Sequence, residues 1–427
     1  MSAPNFLRLY VCFASGYLLS YFYRNVNAVI SPELSADLGV GASSLGLLTS
    51  AYFFAFAAMQ LPAGMLLDRY GPKRVEPALL CVAGCGSLVF AASDGLPGLA
   101  FARMLIGAGV AVCLMAPLKA IALWYSSERQ ASLAGWMMVA GAGALLATAP
   151  LAAALSVLTW RGVFVVLALS TFAAAAAIFL MVPDAPARPQ ASGLVEQWRG
   201  VSSVFLSSRF WWLAPLATVS SGSFMAIQGL WSVPWLIEVE GYSREVAAQH
   251  LMLMGLVILG GYCGLGMFAT HLGNRGITPA HLFATGFALN IAALTLITAR
   301  AVSFTYLLWA AYGLGSAVNV LGFTVLSQGF ARELTARVNT ALNLLMFSGS
   351  FLAQWGIGIV VDIARAELAA DTAGGLITAF AMSLGAQLLA YAWFMLGWRR
   401  HAVVTPAAPS GVSFHPVGPE RDDVQAH

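Results

Sequence analysis

Twelve apolar runs, each about as long as a helix that crosses a bilayer, constrain this chain more than any other feature. They cover residues 6–30, 43–67, 75–93, 98–124, 132–156, 161–182, 211–236, 246–270, 279–299, 303–328, 339–362 and 375–398, here called spans 1 to 12. A spanning helix needs about 20 mostly apolar residues. Only 9% of the chain is charged, against roughly 25% in a soluble domain, which leaves too little polar surface for a body in water. The expectation is an all-α integral membrane protein. The apolar start after Arg8 has no small-residue cleavage site and reads as span 1, not as a removed signal.

One long polar connection, residues 184–208, divides the spans into six plus six. The expected organisation is therefore a six-helix bundle over 1–183, a linker over 184–208, a second six-helix bundle over 209–400, and a disordered Pro-bearing tail over 401–427. An even number of spans puts both termini on one side. That side collects 14 of the 21 Lys and Arg residues and the other side four, so the positive-inside rule makes linker, tail and termini cytoplasmic. The three basic residues left over, Arg24, Arg103 and Lys119, fall inside spans.

The halves echo each other. "GMLLDRYGPKR" (64–74) follows span 2 and "GMFATHLGNRG" (266–276) follows span 8, pairing Gly64 with Gly266 and Gly71 with Gly273. "LIGAGVAV" in span 4 pairs with "AYGLGSAV" in span 10. Two pseudo-symmetric six-helix bundles are a transporter architecture, with the substrate site near the midplane between them.

"GMLLDRYGPKR" resembles the signature loop between helices 2 and 3 of the major facilitator superfamily. "RMLIGAG" (103–109) resembles that superfamily's helix-4 motif, and "WRGVF" (160–164) the start of its helix 6. The resemblance covers residues 6–400 and implies a carrier working by alternating access. It implies a gating role for Gly64, Asp68, Arg69, Gly71, Lys73 and Arg74, with Asp68 facing the start of span 11 near Arg337, where free N–H groups favour an anion. That contact would clasp the cytoplasmic side shut. The bland alternative is a solvated loop whose charges only set topology. Thr270 and His271 replace the acid–base pair in the second half, which weakens any symmetric clasp there.

Arg24 needs an explanation, because an arginine inside a span costs roughly 2.5–3.5 kcal/mol or more. Tyr17, Ser20, Tyr21, Arg24 and Asn27 fall within about 120° of one another at about 100° per residue, one polar stripe. Lipid offers such a stripe no partners, so it should face a wet cavity or another helix; snorkelling to the interface fits the phase less well. Span 1 lines the central cavity in the resembled superfamily. A guanidinium there attracts an anion, and its fork fits carboxylate or phosphate.

"YFYRNVNAVISP" (21–32) looks like the helix-1 arginine segment of the anion:cation symporters, and also of the organophosphate antiporters. "SAYFFAFAAMQLPAGMLLDRYG" (50–71) and "WYSSERQA" (124–131) are similar to the former. The departures matter. The second arginine of the organophosphate antiporters falls near Met225 here, which favours a carboxylate over a phosphate ester. The symporters' helix-4 glutamate falls at Val110. Inward movement of an anion against about 100 mV costs roughly 2.3 kcal/mol per charge, so uptake needs protons or an exchanged anion. Glu33, Asp37 and His250 are the titratable candidates, none expected to be buried, and all 18 acids are expected in loops, the tail or helix ends.

Further candidate substrate contacts are Tyr52, Arg103, Lys119, Gln228, Trp231, Asn319 and Asn343. Each polar residue alone reads equally as an interhelical hydrogen bond. The resemblance implies that Arg103 holds span-1 carbonyls or serves a proton pathway, and Lys119, beyond Pro117, could snorkel. The glycines of "GGYCGLG" (260–266) lack a following Lys-Ser/Thr pair and read as packing, not phosphate binding. Cys81 and Cys85 are one turn apart, too few for a zinc site, and read as buried and structural. No acid, base or nucleophile cluster lies in the spans, so no enzyme, cofactor or metal is expected. No block of like charge suggests nucleic acid. The expected partners are a small organic anion, H+ as a coupling ion and the lipid bilayer, for a monomer in a bacterial inner membrane. The competing readings are an efflux carrier for an anionic or amphipathic compound and a non-transporting membrane receptor.

Overall fold

The computed structural model describes residues 6–125, 157–184, 202–300, 304–330, 334–367 and 371–401, with scattered positions between 126 and 156. Most of span 5, most of the linker, the segment 126–131 and the tail beyond 401 lie outside the described residues. Every regular element described is helical: α1 (Phe6–Leu38), α2 (Ala42–Tyr70), α3 (Pro72–Ala92), α4 (Leu96–Gly109), α5 (Met115–Trp124), α6 (Trp160–Met181), α7 (Ser208–Ala226), α8 (Arg244–Asn274), α9 (Pro279–Thr298), α10 (Thr305–Ser316), α11 (Asn319–Ser327), α12 (Thr335–Glu367) and α13 (Thr372–His401). Among the described residues, nine helices are long and apolar enough to cross a membrane. Apolar side chains such as Leu180, Leu389 and Leu396 point outward, as lipid contact requires.

Local chemistry sets the helix ends. Gly71, at φ 76°, makes the tight turn between α2 and α3, and Pro72 opens α3. Thr159, Ser243 and Thr278 cap α6, α8 and α9. Span 1 was expected to stop at residue 30, yet α1 continues to Leu38 through Pro32. Ser31 Oγ donates to the Ala28 carbonyl at 3.1 Å, which is the acceptor that Pro32 cannot serve. Span 7 is also irregular. Beyond α7 it continues in π-helical turns at Ile227–Trp231 and Trp235–Val239.

The internal repeat extends to packing. Spans 4 and 10 both break, between α4 and α5 and between α10 and α11. Gly107 and Gly109 of α4 lie against the backbones of Tyr52 in α2 and Ala83 in α3, while Gly313 and Gly315 of α10 lie against Met254 in α8 and Asn290 in α9. Each pair of glycines lets one helix approach the corresponding two neighbours. One detail differs: the left-handed residue after α8 is Gly276, and Gly273, the expected counterpart of Gly71, lies inside the helix.

The buried side chains form two cores. The larger runs through the first half and the parts of α7, α8, α10, α12 and α13 nearest the α1–α2 turn; it includes Trp231, Trp235, Trp309, Phe347 and Phe380. The second belongs almost wholly to the other ends of the second-half helices, with Phe210, Trp212, Phe283, Phe287 and Phe394. The halves therefore share a core at the end that carries the α1–α2 turn and have separate cores at the end that carries the α2–α3 turn.

Candidate functional site

Arg24 projects from α1 between the halves. Its guanidinium carbon stands 4.7 Å from the ring centre of Tyr21, 5.2 Å from Phe347 and 5.6 Å from Phe56. These rings come from α1, α12 and α2. Such faces stabilise a cation by about 0.5–2 kcal/mol each, and the acceptors beside the N–H fork are neutral phenols, that of Tyr52 among them. Arg24 is 8% exposed, and its Nε has no hydrogen-bond partner. Among the described residues no carboxylate pairs with it. The result is a single buried positive charge in an aromatic cup built from both halves.

The rest of the stripe is held in place. Tyr17 and Tyr21 meet edge to face at 5.1 Å. Asn27 Nδ2 donates to Thr49 Oγ1 at 2.9 Å, and Tyr52 Oη donates to the Ser20 carbonyl at 3.3 Å, so both tie α1 to α2. Arg103 is fully buried. Its Nη1 donates to the Tyr23 carbonyl at 3.0 Å and its guanidinium lies 5.1 Å from the Tyr52 ring centre. It holds a span-1 carbonyl, with Tyr52 between its charge and that of Arg24.

The second half supplies polar atoms opposite. Gly229, in the first π-helical turn, brings the backbone against the Arg24 carbonyl, and the Gln354 side chain closes over the same point. Gln228 Nε2, Ser232 Oγ and both Gln354 side-chain atoms are buried with no hydrogen-bond partner. Buried polar groups are normally paired, and π-helical turns recur at functional sites. Trp231 Nε1 donates to the Gln354 carbonyl at 3.0 Å, which orients this patch. Asn343 Nδ2 donates to Gln60 Oε1 at 2.9 Å, a second bridge between the halves. Asn319 accepts from Ser221 Oγ on α7. Tyr262 of α8 was overlooked in the sequence: its hydroxyl is within electrostatic reach of Tyr21 and Arg24. The glycines around it drew attention to packing and away from the tyrosine.

The expected gating loop behaves differently from the substrate list. Lys119, expected among the substrate contacts, pairs with Asp68 near the α2–α3 turn. Asp68 lies 16 residues beyond Tyr52, about 24 Å along α2, so this lysine belongs to the loop and not to the Arg24 cup. Lys73 Nζ donates to Asp184 at 3.1 Å and Arg74 approaches the same carboxylate. Arg69 is exposed over Tyr70. Gly64 has open space around it.

At the opposite end the halves are fastened. Asp362 of α12 accepts from the backbone N–H groups of Ala42 at 3.0 Å and Ser43 at 2.8 Å, capping the first turn of α2. Gly358 lies against the Ala42 carbonyl. Arg244 pairs with Glu33 and donates to the Val29 carbonyl at 2.6 Å. The structure is thus closed at the α1–α2 end.

Three expectations about titratable groups change. His250 is 1% exposed: its Nδ1–H donates to the Val246 carbonyl at 2.8 Å, its Nε2 meets Thr305 Oγ1 at 3.1 Å, and Tyr306 stacks on it at 3.7 Å. Not every acid lies in a loop or at a solvated helix end: Glu76, on the second turn of α3, is fully buried. Cys81 and Cys85 are exposed on the outer face of α3 and are not buried.

Comparison with known proteins agrees with this architecture. A family model described as Major Facilitator Superfamily matches residues 13–354. The hexuronate transporter of Escherichia coli (strain K12) is 28% identical over 276 residues, 58% of this chain and 62% of that one, so the match spans less than two thirds of the relative's length. The quinolone resistance transporter of Acinetobacter baumannii is 25% identical over 175 residues, 39% of this chain and 40% of that one. Among solved structures, a bacterial homolog of the human lysosomal transporter Spinster, in an inward-facing and unoccupied conformation, superposes with a TM-score of 0.75 at 17% identity. It covers 94% of this chain and 98% of that one.

Proposed function

This chain belongs to the Major Facilitator Superfamily, and from that premise we propose that it carries a small organic carboxylate across the cytoplasmic membrane of a bacterium. Arg24 is the observation that carries this reading. A buried guanidinium with an unpaired Nε, enclosed by rings from both halves and without a carboxylate partner among the described residues, fits an anionic ligand. A carboxylate fits the fork with two parallel bonds. A doubly charged phosphate ester would call for a second cation, and the corresponding place on α7, Met225, instead faces Ser350. Gln228, Ser232 and Gln354 would bind hydroxyls of the same ligand, with Tyr17, Tyr21, Tyr52, Asn27 and Tyr262 lining the α1 side. The name of the E. coli relative supports a sugar acid as the first class to try.

Transport follows from the two ends. With the α2–α3 end cytoplasmic, as its basic loop suggests, the present state is closed outward by Asp362 and Arg244. Rocking of the halves about the Arg24 cup would release those contacts and let Asp68 exchange Lys119 for the start of α12. The expected coupling is proton symport or anion exchange, with the monomer as the transporting unit.

The test is uptake of labelled hexuronate into proteoliposomes. Saturable flux lost in Arg24→Gln supports the reading; binding without flux makes the protein a receptor. A second reading, export, is favoured by the A. baumannii relative, and uptake into inside-out vesicles only would establish it.

A further inference from the structure

Among the described residues, Glu76 is the buried carboxyl group that no basic side chain and no backbone N–H engages. It is fully buried, and neither side-chain oxygen has a hydrogen-bond partner. The other acids near the spans are engaged. Glu33 pairs with Arg244, Asp37 with Trp160 and Arg161, Asp68 with Lys119, and Asp362 with the start of α2. An ionised carboxylate enclosed with no counter-charge and only a thiol, a weak donor, beside it carries a large solvation penalty, so this group carries a proton while it is enclosed.

The surroundings make a place for that carboxyl. Gly16 of α1 lies directly against it: a β-carbon there would stand 2.6 Å from Glu76 Oε1. The thiol of Cys113, in the break between α4 and α5, faces it from the other side. Among the described residues no charged group faces it. Lys73 and Arg74 on its own helix turn to Asp184, Lys119 of α5 turns to Asp68 of α2, and Arg161 of α6 lies at the opposite end with Asp94. On α1 the nearest titratable group on this side is Cys12, which donates to Ala177. Gly16 and Arg24 are eight residues apart on α1, about 12 Å along the axis. One helix therefore touches both the aromatic cup and the buried carboxyl, and the irregular 110–114 link, which carries Cys113, forms a wall of the second site.

We propose that Glu76 is the proton-carrying residue of this carrier, taking up one H+ per carboxylate moved and releasing it on the other side. This rests on the transport reading above. The balance is simple: the Glu76 carboxylate gains a proton at one oxygen from the outer water, the substrate anion binds Arg24, the halves rock, and both proton and anion leave to the inner water. A monocarboxylate then moves with no net charge, which removes the voltage penalty.

The experiment uses full-length protein in proteoliposomes with a labelled monovalent hexuronate and a gradient of one pH unit, acid outside. One proton per monoanion holds about a tenfold accumulation. Glu76→Gln is expected to accumulate nothing above the external concentration yet to keep exchange of internal unlabelled for external labelled substrate. Equal accumulation by wild type and Glu76→Gln overturns the proposal, and so does a folded variant that loses exchange as well. If wild type neither accumulates nor exchanges any carboxylate, the transport reading itself has failed. Should Glu76→Gln not fold, Cys113→Ser replaces it: a shifted pH midpoint of accumulation supports the proposal, and an unchanged pH profile overturns it.

Discussion

The Arg103 guanidinium donates to the Tyr23 carbonyl at 3.0 Å, so one buried arginine fixes the backbone that carries the next residue, Arg24. Tyr52 lies beside both, 5.1 Å from Arg103 by its ring centre and bonded through its hydroxyl to Ser20. The charge that lines the cup and the charge that supports it are thus separate groups on separate helices. Arg103→Leu should cost about 1–3 kcal/mol by leaving the Tyr23 carbonyl unpaired, read as thermal stability in detergent. Arg103→Lys should keep most of the stability and raise KM by up to about tenfold, since a lysine lacks the fork.

Asp362 should act as a latch. Capping residues contribute about 0.5–2 kcal/mol, so Asp362→Ala should shift the balance away from the state closed at the α1–α2 end by about twofold to thirtyfold. Spin labels at Val40 and Glu367 would read this as a longer distance population. An unchanged distribution would remove Asp362 from the gate.

The glycine pairs make a symmetric prediction. Gly107→Val and Gly315→Val should each destabilise by at least about 1–3 kcal/mol, because a larger side chain meets the backbone of a neighbouring helix. Gly64→Ala should leave stability unchanged, since nothing lies within 4 Å. A fall in transport without a fall in stability would place Gly64 in a contact of the opposite state.

Lys119→Met should leave the substrate KM unchanged, because its partner is Asp68 near the α2–α3 turn. A large rise in KM would return Lys119 to the substrate site. An exposed pair of this kind contributes only about 0.2–1 kcal/mol, so the stability effect should be small.

What was legible in the sequence was what periodicity and length encode. The spans, the repeat and the Arg24 stripe depend on residues close in the chain; Arg24 meets Phe347 of the other half, while Asn27 and Ser20 of the same stripe bond to α2. Two kinds of feature were hidden. Distances across the bundle were one: nothing near Lys119 in the chain reveals that Asp68, 51 positions away, claims it. The other was depth at helix starts. Glu76 follows Lys73 and Arg74, so it read as part of a solvated end, whereas Pro72 starts α3 tightly enough to carry its second turn into the core. The signal was available in "VEPALL", an acid flanked by apolar residues, and in Gly16, a small residue on the facing helix. His250 was misplaced for the same reason. Its partners Thr305 and Tyr306 lie 55 and 56 positions on, across the second half.

The central claim is that Arg24 anchors a carboxylate, and ligand-induced thermal stabilisation in detergent tests it most directly. A panel of sugar acids and phosphate esters is titrated into wild type and Arg24→Gln, since stabilisation follows occupancy. The account predicts that a sugar acid stabilises wild type at lower concentration than its phosphate ester, and that Arg24→Gln weakens binding by about tenfold to a hundredfold, the equivalent of one lost charged hydrogen-bonded pair. Equal stabilisation of both proteins by the same acid would contradict it.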